Sequence, residues 1–221
     1  AMDKIISKNI FKKMKILTPN FFHLDKEKFK KINLKKMINK TKIGFPIVVK
    51  PSNEGSSIGV IICKNLEILK KTSKKLFRNY EKLIFEKYIP GQEVQVAVMN
   101  GKALGAIELK PKRKFYDYKA KYQKSAKTIH IMPANIPKKK YLEALKISEK
   151  THRALKCRGV TRSDFKFFKK KLFLLEINTQ PGMTDLSLVP EIAKYKGISF
   201  KELVKRILLD AGLNKWSDQK N

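Results

Sequence analysis

The sequence predicts an α+β fold in which antiparallel sheets face each other across a cleft. Three observations carry this. Asn100–Gly101, the residue pair favoured in two-residue hairpin turns, lies between the apolar runs "EVQVAVM" and "ALGAIEL". "GVTRSDFKFFKKKLFLLEINTQPGMT" reads as a second antiparallel hairpin ending in an irregular loop. Helical patterns interleave with the strands, so both element types build the same core.

In chain order, residues 25–40 ("DKEKFKKINLKKMINK") read as one short basic helix, with Phe29, Ile32, Met37 and Ile38 towards a core. Phe45–Val49 is an apolar, β-branched run between Gly44 and Pro51, hence a buried strand with Lys50 at its mouth. "NLEILKKTSKKLFRNY" is an amphipathic helix, because Leu66, Leu69, Leu76 and Tyr80 fall at helical spacing. Leu83–Ile89 is a strand that ends at the Pro90–Gly91 turn, and a polar loop runs from Lys110 to about Lys127. "PKKKYLEALKISEKTHRALK" is a helix with Pro137 near its start; Leu142, Leu145, His152 and Leu155 lie along one side. "SFKELVKRILLDAG" closes the chain as a capped helix, Ser199 standing three residues before Glu202.

A chain of 221 residues can hold one large domain or two small ones with real cores. No apolar run approaches the roughly 18 residues that span a bilayer, and the first residues lack the apolar core of a signal peptide. Cys63 and Cys157 are far apart and lack metal-ligand spacing. A cytosolic enzyme or binding protein is the expectation. The net charge of +32 raises a nucleic-acid surface as an alternative. Yet arginine, the better base and phosphate reader, occurs only at Arg78, Arg113, Arg153, Arg158, Arg162 and Arg206. The remaining basic residues are lysines spread along the whole chain, which fits solvated faces as well as a binding surface.

Two constellations carry chemistry. After Lys50 come Pro, Ser, Asn, Glu, Gly, Ser, Ser, Ile and Gly, so Gly55 and Gly59 let backbone amides approach a ligand closely. Amides beside a lysine suit a phosphate, although the spacing is not that of a Walker loop; an ordinary turn after a strand is the plain alternative. In the last hairpin, strand alternation puts Glu176 and Asn178 on one face, with Asp164 and Arg162 able to face them from the neighbouring strand. Oxygen ligands without histidine or thiolate suit Mg²⁺ held together with nucleotide phosphates, and a nearby arginine suits phosphoryl transfer. A surface hairpin with scattered polar groups would explain the same residues. Against it, "LFLLEIN" embeds a glutamate in an apolar strand, where an unpartnered carboxylate is costly.

"MDK", "KPSNEGSSIGV", "EKYIPGQE", "FYDYKAKY", "RSDF", "LLEINTQPGMT" and "SLVPEIAK" occur in this order at sensible intervals. In this the sequence resembles the D-alanine–D-alanine ligases, ATP-grasp enzymes, over essentially its whole length. The resemblance implies two ATP-grasp lobes, residues 1–93 and 94–221, enclosing a nucleotide cleft. It implies ATP and two Mg²⁺ (or Mn²⁺) ions as cofactors. Lys4, Lys50 and Lys121 would meet the ATP phosphates. Glu86, Lys87 and Ile89 would form the adenine hinge, and Glu93 would accept from the ribose hydroxyls. Asp164, Glu176 and Asn178 would ligate the metals. Arg162 and the Gly182 amide would stabilise a tetrahedral intermediate, Ser56 and Tyr122 would help shut the site, and Ser187 with the Leu188 amide would hold the carboxylate of a second D-alanine. The implied reaction makes D-alanyl-D-alanine for peptidoglycan through a D-alanyl phosphate, in the cytoplasm, with ATP and D-alanine as partners. Neither nucleic acid nor membrane is expected as a partner; a homodimer is allowed for the full-length enzyme. A carboxylate–amine or D-alanine–D-lactate ligase is the nearest alternative; Tyr122 favours the amide product. Family members carry a further domain before "MDK", so this chain is expected to be a fragment without it.

Overall fold

The computed structural model describes residues 3–110, 128–184 and 187–212. Two antiparallel sheets dominate it, as the hairpin signals predict. The first contains β1 (Phe21–Asp25), β2 (Ile47–Pro51), β3 (Ile61–Cys63) and β4 (Lys82–Lys87), in the order β1-β4-β2-β3. The second contains β5 (Gln92–Met99), β6 (Lys102–Lys110), β7 (Ile129–Ile131), β8 (Val160–Phe168) and β9 (Lys171–Asn178), in the order β7-β6-β5-β8-β9. Asn100 and Gly101 both take positive φ, 50° and 75°, which the tight turn between β5 and β6 requires.

Seven helices are described: α1 (Lys4–Lys13), α2 (Lys26–Lys31), α3 (Leu34–Thr41), α4 (Leu66–Leu76), α5 (Lys138–Ala154), α6 (Leu188–Tyr195) and α7 (Phe200–Asp210). The single helix expected over 25–40 is two. Ile32 is extended, and the Asn33 side chain accepts from the Lys36 amide, so a new helix starts where the old one stops. Helix α4 and β2 with its neighbours build the first core around Ile47, Val49, Leu69, Leu83 and Phe85. Ser199 caps α7 by accepting from the Glu202 amide, as its spacing predicts.

Helix α5 buries a different stripe from the one its leucines suggest. Ala144, Ser148, Thr151 and His152 face the second sheet, whereas Leu142 is exposed. The hydroxyls of Ser148 and Thr151 bond back to carbonyls of their own helix, so small polar residues can lie against a sheet without an unsatisfied donor. His152 accepts or donates at Nδ1 to Thr161 Oγ1 at 2.9 Å, which makes it a packing residue of this interface.

Each face of the second sheet has its own cover. Val94, Val96, Phe165, Leu172, Leu174 and Ile177 pack towards α5 in one core. On the opposite face, Ala97, Met99, Ile107 and Leu109 meet α6 and α7 at one end. The other end of that face stays open to the first sheet. Helix α1 and the turn that follows it serve both halves: Phe11 and Ile16 belong to the α5 core, while Ile5 packs with Phe21 and Ile84 of the first sheet.

Candidate functional site

Glu176 reaches the open cleft by an irregularity of β9. Leu172 and Leu174 point into the core, and strict alternation would send Glu176 after them. The pairing is instead Phe165 with Leu174 and Asp164 with Glu176, leaving Leu175 as an extra residue. This bulge flips the parity, so Ile177 fills the core and Glu176 and Asn178 face out. The Glu176 side chain is therefore one-third exposed, not embedded in apolar strand as "LFLLEIN" led us to expect. Asp164 stands opposite Glu176, and Arg162 opposite Asn178.

A cleft of about 860 Å³, its open mouth included, lies between the two sheets. One wall carries Lys4, Lys50, Glu54, Gly55 and Ser57; the rim carries Glu86, Lys87, Tyr88 and Ile89; the floor carries Glu93, Gln95, Asp164, Lys166 and Glu176. Of the residues singled out in the sequence, the cleft thus gathers Lys4, Lys50, Glu86, Lys87, Ile89, Glu93, Asp164 and Glu176. Ser57 lines it where Ser56 does not. Arg162, Asn178, Gly182, Ser187 and Leu188 lie outside its lining, and Lys121 and Tyr122 lie outside the described residues.

The Glu86 carboxylate is held by lysines at the edge of the cleft. It is buried between two lysines: Lys50 Nζ donates to Oε1 at 2.7 Å, and Lys8 Nζ lies 2.9 Å from Oε2. The latter is close enough for an ion pair but is not aligned as a hydrogen bond, and among the described residues Oε2 has no hydrogen-bond partner. Burial alone would raise the carboxyl, yet Lys50 and Lys8 outweigh it and bring Glu86 down to about 2. For Lys50, burial is outweighed by the charges of Glu86, Glu176 and Asp164, and its ammonium is held above the usual range. Lys8 is lowered to about 8, because burial and the neighbouring Lys50 exceed the help from Glu86. Burial also lowers Lys4, against Glu176 at 3.7 Å.

Lys4 and Lys8 come from one face of α1, four residues apart. Asp3 fixes the start of that helix, its carboxylate accepting from the amides of Ile5 and Ile6. Lys4 Nζ donates to the Glu54 carbonyl, which ties the helix to the glycine-serine loop. Glu93 accepts from Lys166 Nζ at 2.8 Å.

Oxygen donors on the open face fit a hard divalent cation such as Mg²⁺: Asp164, Glu176 and Asn178 share that face, and among the described residues no thiolate or imidazole joins them. Here Arg162 holds both oxygens of Asp164, Nε to Oδ1 at 2.8 Å and a terminal nitrogen to Oδ2 at 2.9 Å. The Asn178 carbonyl oxygen accepts from the Gln180 amide. Further along, Ser187 Oγ accepts from the Thr184 amide, and a Cβ on Gly182 would stand 2.7 Å from that oxygen. Gly182 is needed for the loop to close on Ser187.

Sequence reasoning missed Lys8, Glu54, Gln95 and Lys166. Only Lys8 had a signal, its spacing of four from Lys4. Gln95 is buried directly across from Asp164, its Oε1 without a hydrogen-bond partner among the described residues.

A family model described as "D-ala D-ala ligase C-terminus" matches residues 10–209. The chain belongs to the D-alanine–D-alanine ligase family. It is 55% identical to the D-alanine–D-alanine ligase of Pelagibacter ubique, a match covering 97% of this chain and 69% of that protein. Identity to the D-alanine–D-alanine ligase of Wolbachia pipientis is 46%, covering 96% of this chain and 65% of that one. Among solved structures, D-alanine–D-alanine ligase from Bacillus anthracis superposes with a TM-score of 0.81 at 34% identity, over 95% of this chain and 66% of that one. The same bacterium's ligase complexed with ATP gives 0.79 at 30% identity. The D-Ala:D-Ser ligase VanG from Enterococcus faecalis gives 0.81 at 25% identity, over 94% of this chain and 60% of that one. The chain spans about two thirds of the length of the ligases it matches. Its α+β architecture is that of the ATP-grasp ligases. Among the described residues, no helix is long and apolar enough to cross a membrane.

Proposed function

We propose that the chain binds Mg²⁺–ATP between its two sheets and supplies the nucleotide, metal and second-substrate parts of a cytoplasmic D-alanine–D-alanine ligase. The observation that carries this is the convergence, in one cleft, of Lys4, Lys50 and the glycine-serine loop on one side with Asp164 and Glu176 on the other. Cations and amides for phosphates face carboxylates for their metals. The segments 1–93 and 94–221 act as the two lobes.

ATP lies with its base against Lys87, Tyr88 and Ile89, its ribose at Glu93 and its phosphates towards Lys50 and Lys4. Asp164, Glu176 and Asn178 would hold Mg²⁺, which neutralises charge on the phosphates. Arg162, now on Asp164, is placed beside the same charge. In the whole protein, the γ-phosphoryl group passes from ATP to the carboxylate of one D-alanine, giving an acyl phosphate and ADP. The amine of a second D-alanine, held at Ser187 and the Leu188 amide, attacks the acyl carbon; the C–N bond forms, the amine gives up a proton, and phosphate leaves. Catalysis is mostly positioning and charge stabilisation. The identity of 55% to a ligase named for D-alanine, against 25% to VanG, favours D-alanine as acceptor.

Calorimetry of the chain with ATP, with and without Mg²⁺, tests the nucleotide reading. Saturable one-site binding that requires the metal is expected. Binding of equal strength to any polyanion, lost as salt rises, would replace it with a nonspecific basic surface.

A further inference from the structure

Lys8 has no place in the ligand scheme above, yet it is the most enclosed lysine described, its side chain 1% exposed. Its Nζ donates to Thr18 Oγ1 at 2.9 Å and faces Glu86 Oε2 at the same distance. It does not line the cleft, whereas Lys50, on the other oxygen of Glu86, does. One carboxylate is thus shared between an ammonium that can reach a ligand and one that cannot.

We propose that Lys8 is a positioning residue of the nucleotide site: it keeps Glu86 charge-compensated so that Lys50 can leave Glu86 for the phosphates of ATP. Glu86 is buried, 4% exposed. A carboxylate in that position cannot be stripped of its only partner cheaply. Without Lys8, moving Lys50 to a phosphate would strand Glu86, and the pair would hold together against the ligand. With Lys8 in place, Lys50 is the exchangeable partner and Lys8 the fixed one, pinned by Thr18 and by the α1 backbone.

The inference rests on the proposed ATP site, and the ligands can separate the two. The probes are ATP with Mg²⁺ and adenosine, which has the base and ribose but no phosphate. Lys8→Met is expected to weaken ATP binding by on the order of tenfold or more while leaving adenosine within about twofold. Adding Glu86→Gln to Lys8→Met is expected to recover most of the loss, because Lys50 is no longer trapped. Equal losses for ATP and adenosine would reduce Lys8 to a structural residue and overturn the proposal; so would unchanged ATP binding. Failure of the parent chain to bind ATP at all would overturn the site reading itself and this inference with it. Lysine-ammonium NMR on the unaltered chain is independent of whether the variants fold. Adding ATP should shift the Lys50 signal and leave that of Lys8 in place; joint movement, or none, overturns the exchange.

Discussion

Glu86 stays ionised in the interior because two ammonium groups reach it, and this makes the fold sensitive to acid. Its folded value is about 2 against an ordinary 4.5. As pH falls through that interval the unfolded chain takes up the proton and the folded one does not, so stability present above about 4.5 drains away towards 2. Lys8 gives the same slope in a different window. Between about 8 and 10.5 the unfolded chain keeps the proton that the folded one has released, so stability rises with pH there. Urea unfolding from pH 5 to 2 should therefore steepen in the parent relative to Glu86→Gln; identical slopes would show that the pair does not carry the effect. At the metal end, Glu176→Gln should raise the Mg²⁺ concentration needed for ATP binding on the order of tenfold or more. A Mg²⁺ titration at fixed ATP reads this, and an unchanged midpoint removes Glu176 from the ligand set. Lys50 and the Asp164–Glu176–Asn178 group were legible because each breaks a local pattern: a charge at the end of an apolar run, or acids in an acid-poor chain. Lys8 was not: its spacing of four from Lys4 is a weak signal among many lysines, and its role comes from Glu86, which is distant in sequence.

The bulge at Leu175 decides which side of β9 its carboxylate occupies. Deleting Leu175 would remove the bulge and leave simple alternation, with Leu174 and Ile177 still in the core and Glu176 and Asn178 still facing out. The expected result is a loss of no more than about 3 kcal/mol of stability, with Mg²⁺-dependent ATP binding retained. Urea unfolding and calorimetry measure the two, and loss of the metal-dependent binding would mean that the bulge shapes the site beyond setting which way Glu176 faces. Gly91 matters in a similar way, because it lies in the short link between β4 and β5 that joins the two sheets. Its φ is 107°, and a Cβ there would come within 2.3 Å of the Phe167 carbonyl oxygen. Gly91→Ala should cost about 1–3 kcal/mol and move the Lys87–Ile89 rim, weakening ATP and adenosine alike. Hairpins and capped helices were readable from local chemistry. The α5 stripe was not: hydrophobic spacing selects leucines, whereas close approach to a sheet selects Ala144, Ser148 and Thr151. The bulge escaped too, because alternation is read from one strand and a bulge exists only between two.

At the scale of the whole molecule, the cleft is walled by both sheets, so a ligand there stabilises both. Mg²⁺–ATP at about a hundred times its Kd should add about 2.7 kcal/mol, or roughly 5–10 °C in the unfolding midpoint of a chain this long. A thermal melt with and without Mg²⁺ separates this from general anion effects. Two transitions, only one of them shifted, would show that the sheets unfold independently. The net charge of +32 predicts a second, salt-sensitive affinity for polyanions on top of the ATP site. The two are resolved by raising salt while holding Mg²⁺ constant.

Helix α1 gives the molecule an unusual order of assembly. Phe11 and Ile16 complete a core whose other members include Phe165, Leu174 and Ile177, and the Leu174 amide donates to the Leu17 carbonyl at 2.9 Å. A segment made early on the ribosome must therefore wait for one made late, about 10–30 s at ordinary synthesis rates. During that wait its apolar face has no partner of its own. Pieces cut in the link near Gly91 should accordingly be insoluble when made apart and soluble when co-expressed, since the later piece lacks the helix that finishes its interior. Solubility of the later piece alone would show that its core closes without Phe11 and Ile16.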